Sequence, residues 1–429
     1  MCLPAIGQAG SDAYLQELNR LHELWHYYKY THIEDGRVIA RDEGNVTTSE
    51  GQSYALLRAV WSNDPLAFEA VYAWTRAHLA REDRLFAWRW QGGAVTDANA
   101  ATDADTDIAL ALLLAAKRFD IPRYRQDALT LLDDIWKKEV VAVKGRHYIT
   151  GGNWAPKERH PTIHVGYLAP YAYELFARVD HRHPWRELIA SSYDILEWLY
   201  YEEQLAVPPQ VVFIDKETGE LMRKPSASRR ASRFSYDAFP IFWRVAADAR
   251  WHHRGKERLR KKMLAHFQTE WKRKGRFMDT YTLAGKPLSK NEGQVLYATV
   301  HSLASLEDPD MAAAIEKEKL EPLWQAAIDG QPTPYYLHNW LWFDRALTAG
   351  VARNHLSFAA PDGVLATAAQ GGPPGLRPLG LHPLSLVPRH PDAQLPGGCG
   401  ALHQHRPSLR RRVLSDLHSP DGGPGGPYS

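Results

Sequence analysis

The sequence predicts an all-α chain folded as an (α/α)6 barrel, a ring of six helical hairpins. Three observations predict it. Segments with apolar residues at helical spacing recur from residue 11 to residue 350, and loops rich in Gly, Pro, Asn and Asp break them. Alternate segments differ in kind. Ile108 to Ala116 is apolar on every side, as a fully buried helix must be, whereas Gly255 to Lys274 is heavily charged. Hairpins pairing one buried helix with one solvent-facing helix close into an inner ring inside an outer one, and no alternating strand pattern of any length competes.

About twelve helices are expected, beginning near Asp12, Glu50, Pro65, Ala104, Pro122, Val165, Pro184, Tyr236, Gly255, Glu292, Asp310 and Pro334. Several starts carry chemical signals. Thr48 or Ser49 precedes Glu50, Thr102 precedes Asp103 and Ser235 precedes Asp237, each able to accept a free first-turn N–H. Pro65, Pro122 and Pro184 stand where a helix has no use for the N–H that proline lacks.

From about Ser357 the composition changes. Twelve of the 28 prolines fall in the last 73 residues, with no Phe, Trp or Tyr between Phe358 and Tyr428. Such a segment has too little apolar surface to order itself, so residues 1–356 are expected to form the barrel domain and 357–429 a disordered Pro/Gly-rich tail.

Composition narrows the function. Lys plus Arg number 52 against 50 acidic residues, so a net charge of +2 gives no electrostatic case for nucleic acid or an anionic membrane, and a neutral substrate fits better. The 15 Trp and 20 Tyr exceed what a core of this size requires, and flat rings are what sugar faces stack on. Cys2 and Cys399 are the only cysteines, too few for a disulfide framework or a thiolate metal site. The histidines show no metal-ligand spacing. The opening Met-Cys-Leu-Pro-Ala-Ile lacks a basic start and a long apolar run, so no export signal and no membrane span is expected in the chain as written.

In a ring of hairpins the inner helices all run the same way, so their first turns face one another at one end of the barrel. Those turns hold Glu50, then Asp103 with Asp105, Tyr167, Tyr236 with Asp237, Glu292, and Tyr335 with Tyr336. Acidic residues in a first helical turn are ordinarily caps that complement the helix dipole. Convergence on one concavity is a stronger signal, because glycoside hydrolysis needs two carboxyls across the scissile bond, one protonated and one ionised. A helix N-terminus lowers a carboxyl pKa, so Glu50 as an acid needs an opposing push, which a neighbouring Asp103 and water exclusion by Trp88 and Trp90 would supply.

Ala101-Thr102-Asp103-Ala104-Asp105-Thr106-Asp107 and the apolar run after it, through Phe119, resemble the signature of glycoside hydrolase family 8. Three more blocks carry the resemblance in family order: Thr48-Ser49-Glu50-Gly51-Gln52-Ser53-Tyr54, Tyr167-Leu168-Ala169-Pro170, and Tyr236-Asp237-Ala238 followed by Trp243-Arg244. With Tyr335-Tyr336 and Asn339-Trp340 it covers roughly residues 12 to 350. The resemblance implies an (α/α)6 barrel, inversion at the anomeric carbon, no metal or organic cofactor, and endo-acting cleavage of a β-1,4-linked glucan, xylan or chitosan; a monomer is expected. It implies Glu50 as proton donor, Asp237 as the base that activates water, and Asp103 as the carboxylate gripping the sugar at the cleavage point. Trp88, Trp90, Asp105, Tyr167, Tyr236, Tyr336 and Arg244 are then the expected substrate-binding residues. The family role implies a secreted or periplasmic enzyme if a segment lies upstream.

Two departures from the family pattern stand out. Pro240 closes Asp237-Ala238-Phe239-Pro240, where an arginine usually follows the base, and His164-Val165-Gly166 replaces an Asn-Pro-Ser segment before Tyr167. Arg244, Arg233 and Arg89 are the candidates to replace the missing cation. The alternatives are a carbohydrate-binding barrel without turnover, which the missing arginine favours and the retained carboxylates oppose, and a lyase or epimerase on a similar barrel. Glu292-Gly293-Gln294 echoes Glu50-Gly51-Gln52 and makes Glu292 a rival acid, although a repeated helix start explains the echo.

Overall fold

The computed structural model describes residues 8–223, 229–354 and 356. The Pro/Gly-rich segment expected to be disordered lies outside the described residues. Among the described residues thirteen α-helices run in order: α1 Gln8–His32, α2 Ser49–Trp61, α3 Pro65–His78, α4 Thr102–Arg118, α5 Pro122–Glu139, α6 Pro170–Val179, α7 Trp185–Glu197, α8 Pro240–His252, α9 Glu257–Lys274, α10 Gln294–Glu307, α11 Pro309–Ile315, α12 Glu321–Ile328 and α13 Tyr335–Thr348. The last outer rod is one helix in two parts. A π-turn over Glu316–Leu320 joins α11 to α12, absorbing Pro322, which has no N–H to give the helical ladder.

The expected double wall is present. Helix α4 is buried without a break from Thr102 to Ala115, and α2, α8, α10 and α13 are buried almost as completely. The outer α9, by contrast, buries only Leu259, Met263, Leu264, Phe267 and Glu270, one stripe at helical spacing. Inner helices pack in the ring order α2, α4, α6, α8, α10, α13. The ring closes where Arg58 of α2 donates to Asn339 of α13 at 3.1 Å and Trp61 stacks on Trp342, centroids 6.3 Å apart.

Two inner helices begin later than the apolar pattern suggests. Val165–Tyr167 and Tyr236–Ala238 form single 3-10 turns, and α6 and α8 start at Pro170 and Pro240. The ring of proline cannot continue a helix from its N-terminal side, but suits the first helical position. Short antiparallel strands, which the sequence did not announce, precede the inner helices. Thr47–Thr48, Ala87–Gln91 and Ala94–Ala100 form one sheet, and Thr162–His164, Val211–Ile214 and Leu221–Met222 another. Arg233–Phe234 pairs with Tyr281–Thr282. Strands of two to seven residues are too short to show an alternating pattern, yet each fixes the loop that delivers a residue to the barrel mouth.

Candidate active site

Glu50 is the second residue of α2. The Thr48 hydroxyl caps that helix by accepting the Gly51 N–H at 3.0 Å, and the Thr47–Thr48 strand pairs with Trp90 and Arg89, so the first turn is held from both sides. One turn on, the Tyr54 hydroxyl donates to Glu50 Oε1 at 2.7 Å. Burial pushes the Glu50 carboxyl well above the ordinary carboxylate range, and Asp103, Glu43 and Asp237 add to the push against the Tyr54 hydrogen bond. The opposing push that the helix N-terminus demanded is therefore supplied.

Asp103 is the second residue of α4 and is 4% exposed. Burial above all, with Asp107 and Asp237, raises its pKa to about 7 against the pull of the Arg244 cation and the Ala104 N–H. Asp237 lies in the turn before α8, 8% exposed, with the Arg230 Nε 3.7 Å from its Oδ2. Arg230 is thus a cation beside Asp237, one not among the expected candidates Arg244, Arg233 and Arg89.

The two departures from the family pattern turn out to be neighbours. A Cβ on Gly166 would sit 1.9 Å from the Asp237 carbonyl oxygen and 3.4 Å from Pro240 Cδ, so the turn bearing Tyr167 rests directly on the turn bearing Asp237. Tyr167 stacks on His164 with centroids 4.4 Å apart. Burial raises the hydroxyl pKa values of Tyr167 and Tyr336, and the same three carboxyls, Glu50, Asp103 and Asp237, raise both further. Five side chains from α2, α4, α13 and the turns before α6 and α8 therefore share one electrostatic environment. Tyr236 packs beside them, its ring 6.3 Å from Tyr336.

Other expected residues lie elsewhere. Asp105 is 0% exposed and accepts the Phe86 N–H at 3.1 Å, so it stands behind the site, out of reach of a sugar. Arg244 is equally inaccessible at 2% exposure. Its guanidinium donates to Asp107 at 2.8 and 3.2 Å and to the Tyr171 hydroxyl at 3.0 Å, tying α8 to α4. Trp90 is occupied by packing: the Arg37 guanidinium lies 4.1 Å over its ring, and Trp74 of α3 meets it edge-on at 5.5 Å. Trp88 is half-buried on the same strand, with Arg89 over its ring at 5.8 Å. Glu292 accepts from Tyr297 at 2.9 Å and Lys319 at 3.1 Å. These bonds outweigh its burial and hold its pKa below the ordinary value, the opposite of what an acid requires. Tyr54 and Arg230 are the residues that sequence reasoning missed as participants. Tyr54 stood in plain view one turn after Glu50, whereas Arg230 comes from an irregular loop.

The profile of Glycosyl hydrolases family 8 matches residues 14–329. The chain belongs to glycosyl hydrolase family 8. It is a glycoside hydrolase, and the (α/α)6 barrel is the fold of its solved relatives. A probable endoglucanase of Novacetimonas hansenii is 30% identical over 298 residues, which is 66% of this chain and 82% of that protein. The endo-1,4-D-glucanase of Vibrio fischeri ES114 superposes with a TM-score of 0.63 at 25% identity, covering 75% of this chain and 93% of that one. A β-1,3-1,4-glucanase of Paenibacillus sp. X4 has a TM-score of 0.66 at 19% identity, over 82% and 94% of the two chains, and shares the fold. Several other curated relatives match over about half of their own length.

Proposed function

We propose that this family 8 enzyme cleaves a β-1,4-linked glucan of the cellulose type internally and with inversion, acting as a monomer. Glu50 protonates the glycosidic oxygen of the leaving sugar. Asp237 takes a proton from a water that attacks the anomeric carbon from the opposite face, and Asp103 grips the sugar at the cleavage point. Tyr167, Tyr236 and Tyr336 offer rings and hydroxyls to the bound chain.

One observation carries the reading. Of the carboxyls acting on one another here, Glu50 is driven toward its protonated form by burial and by three others, Asp103, Glu43 and Asp237, while Asp237 has the Arg230 cation beside it. Environments that push two carboxyls apart assign acid and base. The same arginine removes the best argument for a barrel that binds without turnover. The names of the Novacetimonas relative, a probable endoglucanase, and the Vibrio relative, an endo-1,4-D-glucanase, support internal cleavage of a 1,4-linked glucan.

The test is reducing-end release from carboxymethylcellulose, mixed-linkage glucan, xylan and chitosan, with anomeric configuration followed by NMR. The reading expects carboxymethylcellulose to be cut to α-configured ends. In Glu50→Gln, kcat should fall by about 10²- to 10⁴-fold with KM little changed, the usual worth of a general acid. Faster release from xylan or chitosan would replace the substrate, and no release from any of the four would replace hydrolysis by binding.

A further inference from the structure

Asp105 and Glu139 have no part in the chemistry above, yet both are 0% exposed and they meet carboxyl to carboxyl. Asp105 sits two residues after Asp103 in the first turn of α4, with its Oδ1 accepting the Phe86 N–H. Glu139 ends α5, and both the N–H and the hydroxyl of Thr150 bond its backbone carbonyl, at 2.9 and 2.7 Å. Written as carboxylates, Asp105 Oδ2 and both Glu139 oxygens complete no hydrogen bond; beside them stand each other and the Thr102 hydroxyl. The charged and titratable groups that act on the pair include Arg81, Asp103 on the same turn, and Tyr173 on α6. Arg81 is itself held by Asp83 at 2.8 and 3.0 Å.

Two adjacent negative charges in a dry interior repel strongly, and Arg81, a cation whose charge reaches them, is already shared with Asp83. A single proton between the carboxyls removes the repulsion and creates the missing hydrogen bond, of the short, charge-assisted kind. We propose that Asp105 and Glu139 hold one proton between them and act as a single monoanionic unit that positions Asp103 and sets the charge behind it. Asp105 receives the Phe86 N–H and faces Arg81, so the charge rests on Asp105 and the proton on Glu139. Burial pushes both carboxyls up, which favours a proton on the pair, and the hydrogen bond between them raises Glu139 and lowers Asp105, which puts that proton on Glu139. The link to Asp103 rests on the active-site reading above; the shared proton does not.

Glu139→Gln and Asp105→Asn test it, singly and together. Each single amide donates the hydrogen bond that the proton now makes and leaves one negative charge. Both singles should fold, and each should lose one protonated-carboxyl stretch from the infrared difference spectrum at neutral pH. In both, the pH profile of kcat/KM should stay in place. The double variant removes the last charge, which should move the alkaline limb of the profile to lower pH by about half a unit or more. A limb already shifted in a single variant would mean a dianion. A double variant with an unmoved limb, an infrared spectrum that loses no band, or a Glu139→Gln that does not fold would each overturn the proposal as well. If Glu50→Gln proves fully active the active-site reading fails, and the infrared band still reports on the pair.

Discussion

Gly166→Ala is the most direct perturbation of how Asp237, the proposed base, is held. The glycine is fully enclosed between the turn carrying Tyr167 and the turn carrying Asp237. An alanine Cβ there would meet the Asp237 carbonyl oxygen at 1.9 Å and its carbon at 3.0 Å, so the carbonyl must retreat by about 1 Å to reach even the tightest contact real side chains show. Neither side yields easily. Tyr167 is stacked on His164, and Asp237 is anchored by α8 starting three residues later. A displacement of about 1 Å in a catalytic group costs roughly 100-fold in rate, or about 3 kcal/mol of transition-state stabilisation. Overpacking of this kind also costs about 1–3 kcal/mol of folding stability. Steady-state rates of reducing-end release and thermal unfolding read the two effects separately. The expected result is a kcat lower by about two orders of magnitude with KM nearly unchanged, and a Tm lower by a few degrees. Wild-type kcat in a folded Gly166→Ala protein would show that the contact between these turns does not place the base.

Three further outcomes follow from the same geometry. Tyr54→Phe removes the hydroxyl that stabilises ionised Glu50, so the Glu50 pKa rises further and the alkaline limb of kcat moves up by roughly one pH unit; a limb that stays put would separate Tyr54 from the acid. Arg230→Met removes the cation beside Asp237, so kcat should drop about tenfold or more and the acidic limb should move to higher pH, with Arg230→Lys recovering part of both. His301 is buried against Asp344, 2.8 Å away, which raises its pKa above 6.5 in spite of desolvation. A raised folded value means the stabilisation is complete below pH 6.5 and is lost as pH climbs through the folded pKa, with a slope of at most about 1.4 kcal/mol per pH unit. Denaturant unfolding between pH 6 and 9 should show that decline, and His301→Gln should flatten it.

Much of the site was legible because helix starts are local. Thr48 caps the helix of Glu50 as its hydroxyl and spacing require, and Pro65 and Pro122 open their helices. The membership was also legible, since four blocks in order carry it. What misled were residues whose chemistry is right and whose direction is wrong. Asp105 and Arg244 belong to the same blocks as Asp103 and Asp237, but helical geometry turns them into the wall behind the cavity. Trp90 is an apt sugar platform by type, and its ring is spent on Arg37 and Trp74.

The sequence by itself determined the barrel, because the period and completeness of apolar burial are properties of each segment alone: α4 can only be an inner helix, and α9 only an outer one. It also determined which first turns offer carboxylates. The tertiary structure decided which of those carboxylates act on one another, and hence that the Glu50 carboxyl is pushed up while Glu292, with the same Gly-Gln after it, is paired with Lys319. It decided, too, that the cation for Asp237 arrives from Arg230 and that Gly166 makes room for Pro240's turn. Such pairings join segments dozens of residues apart, and a pKa depends on what stands across the cavity, which no local pattern encodes.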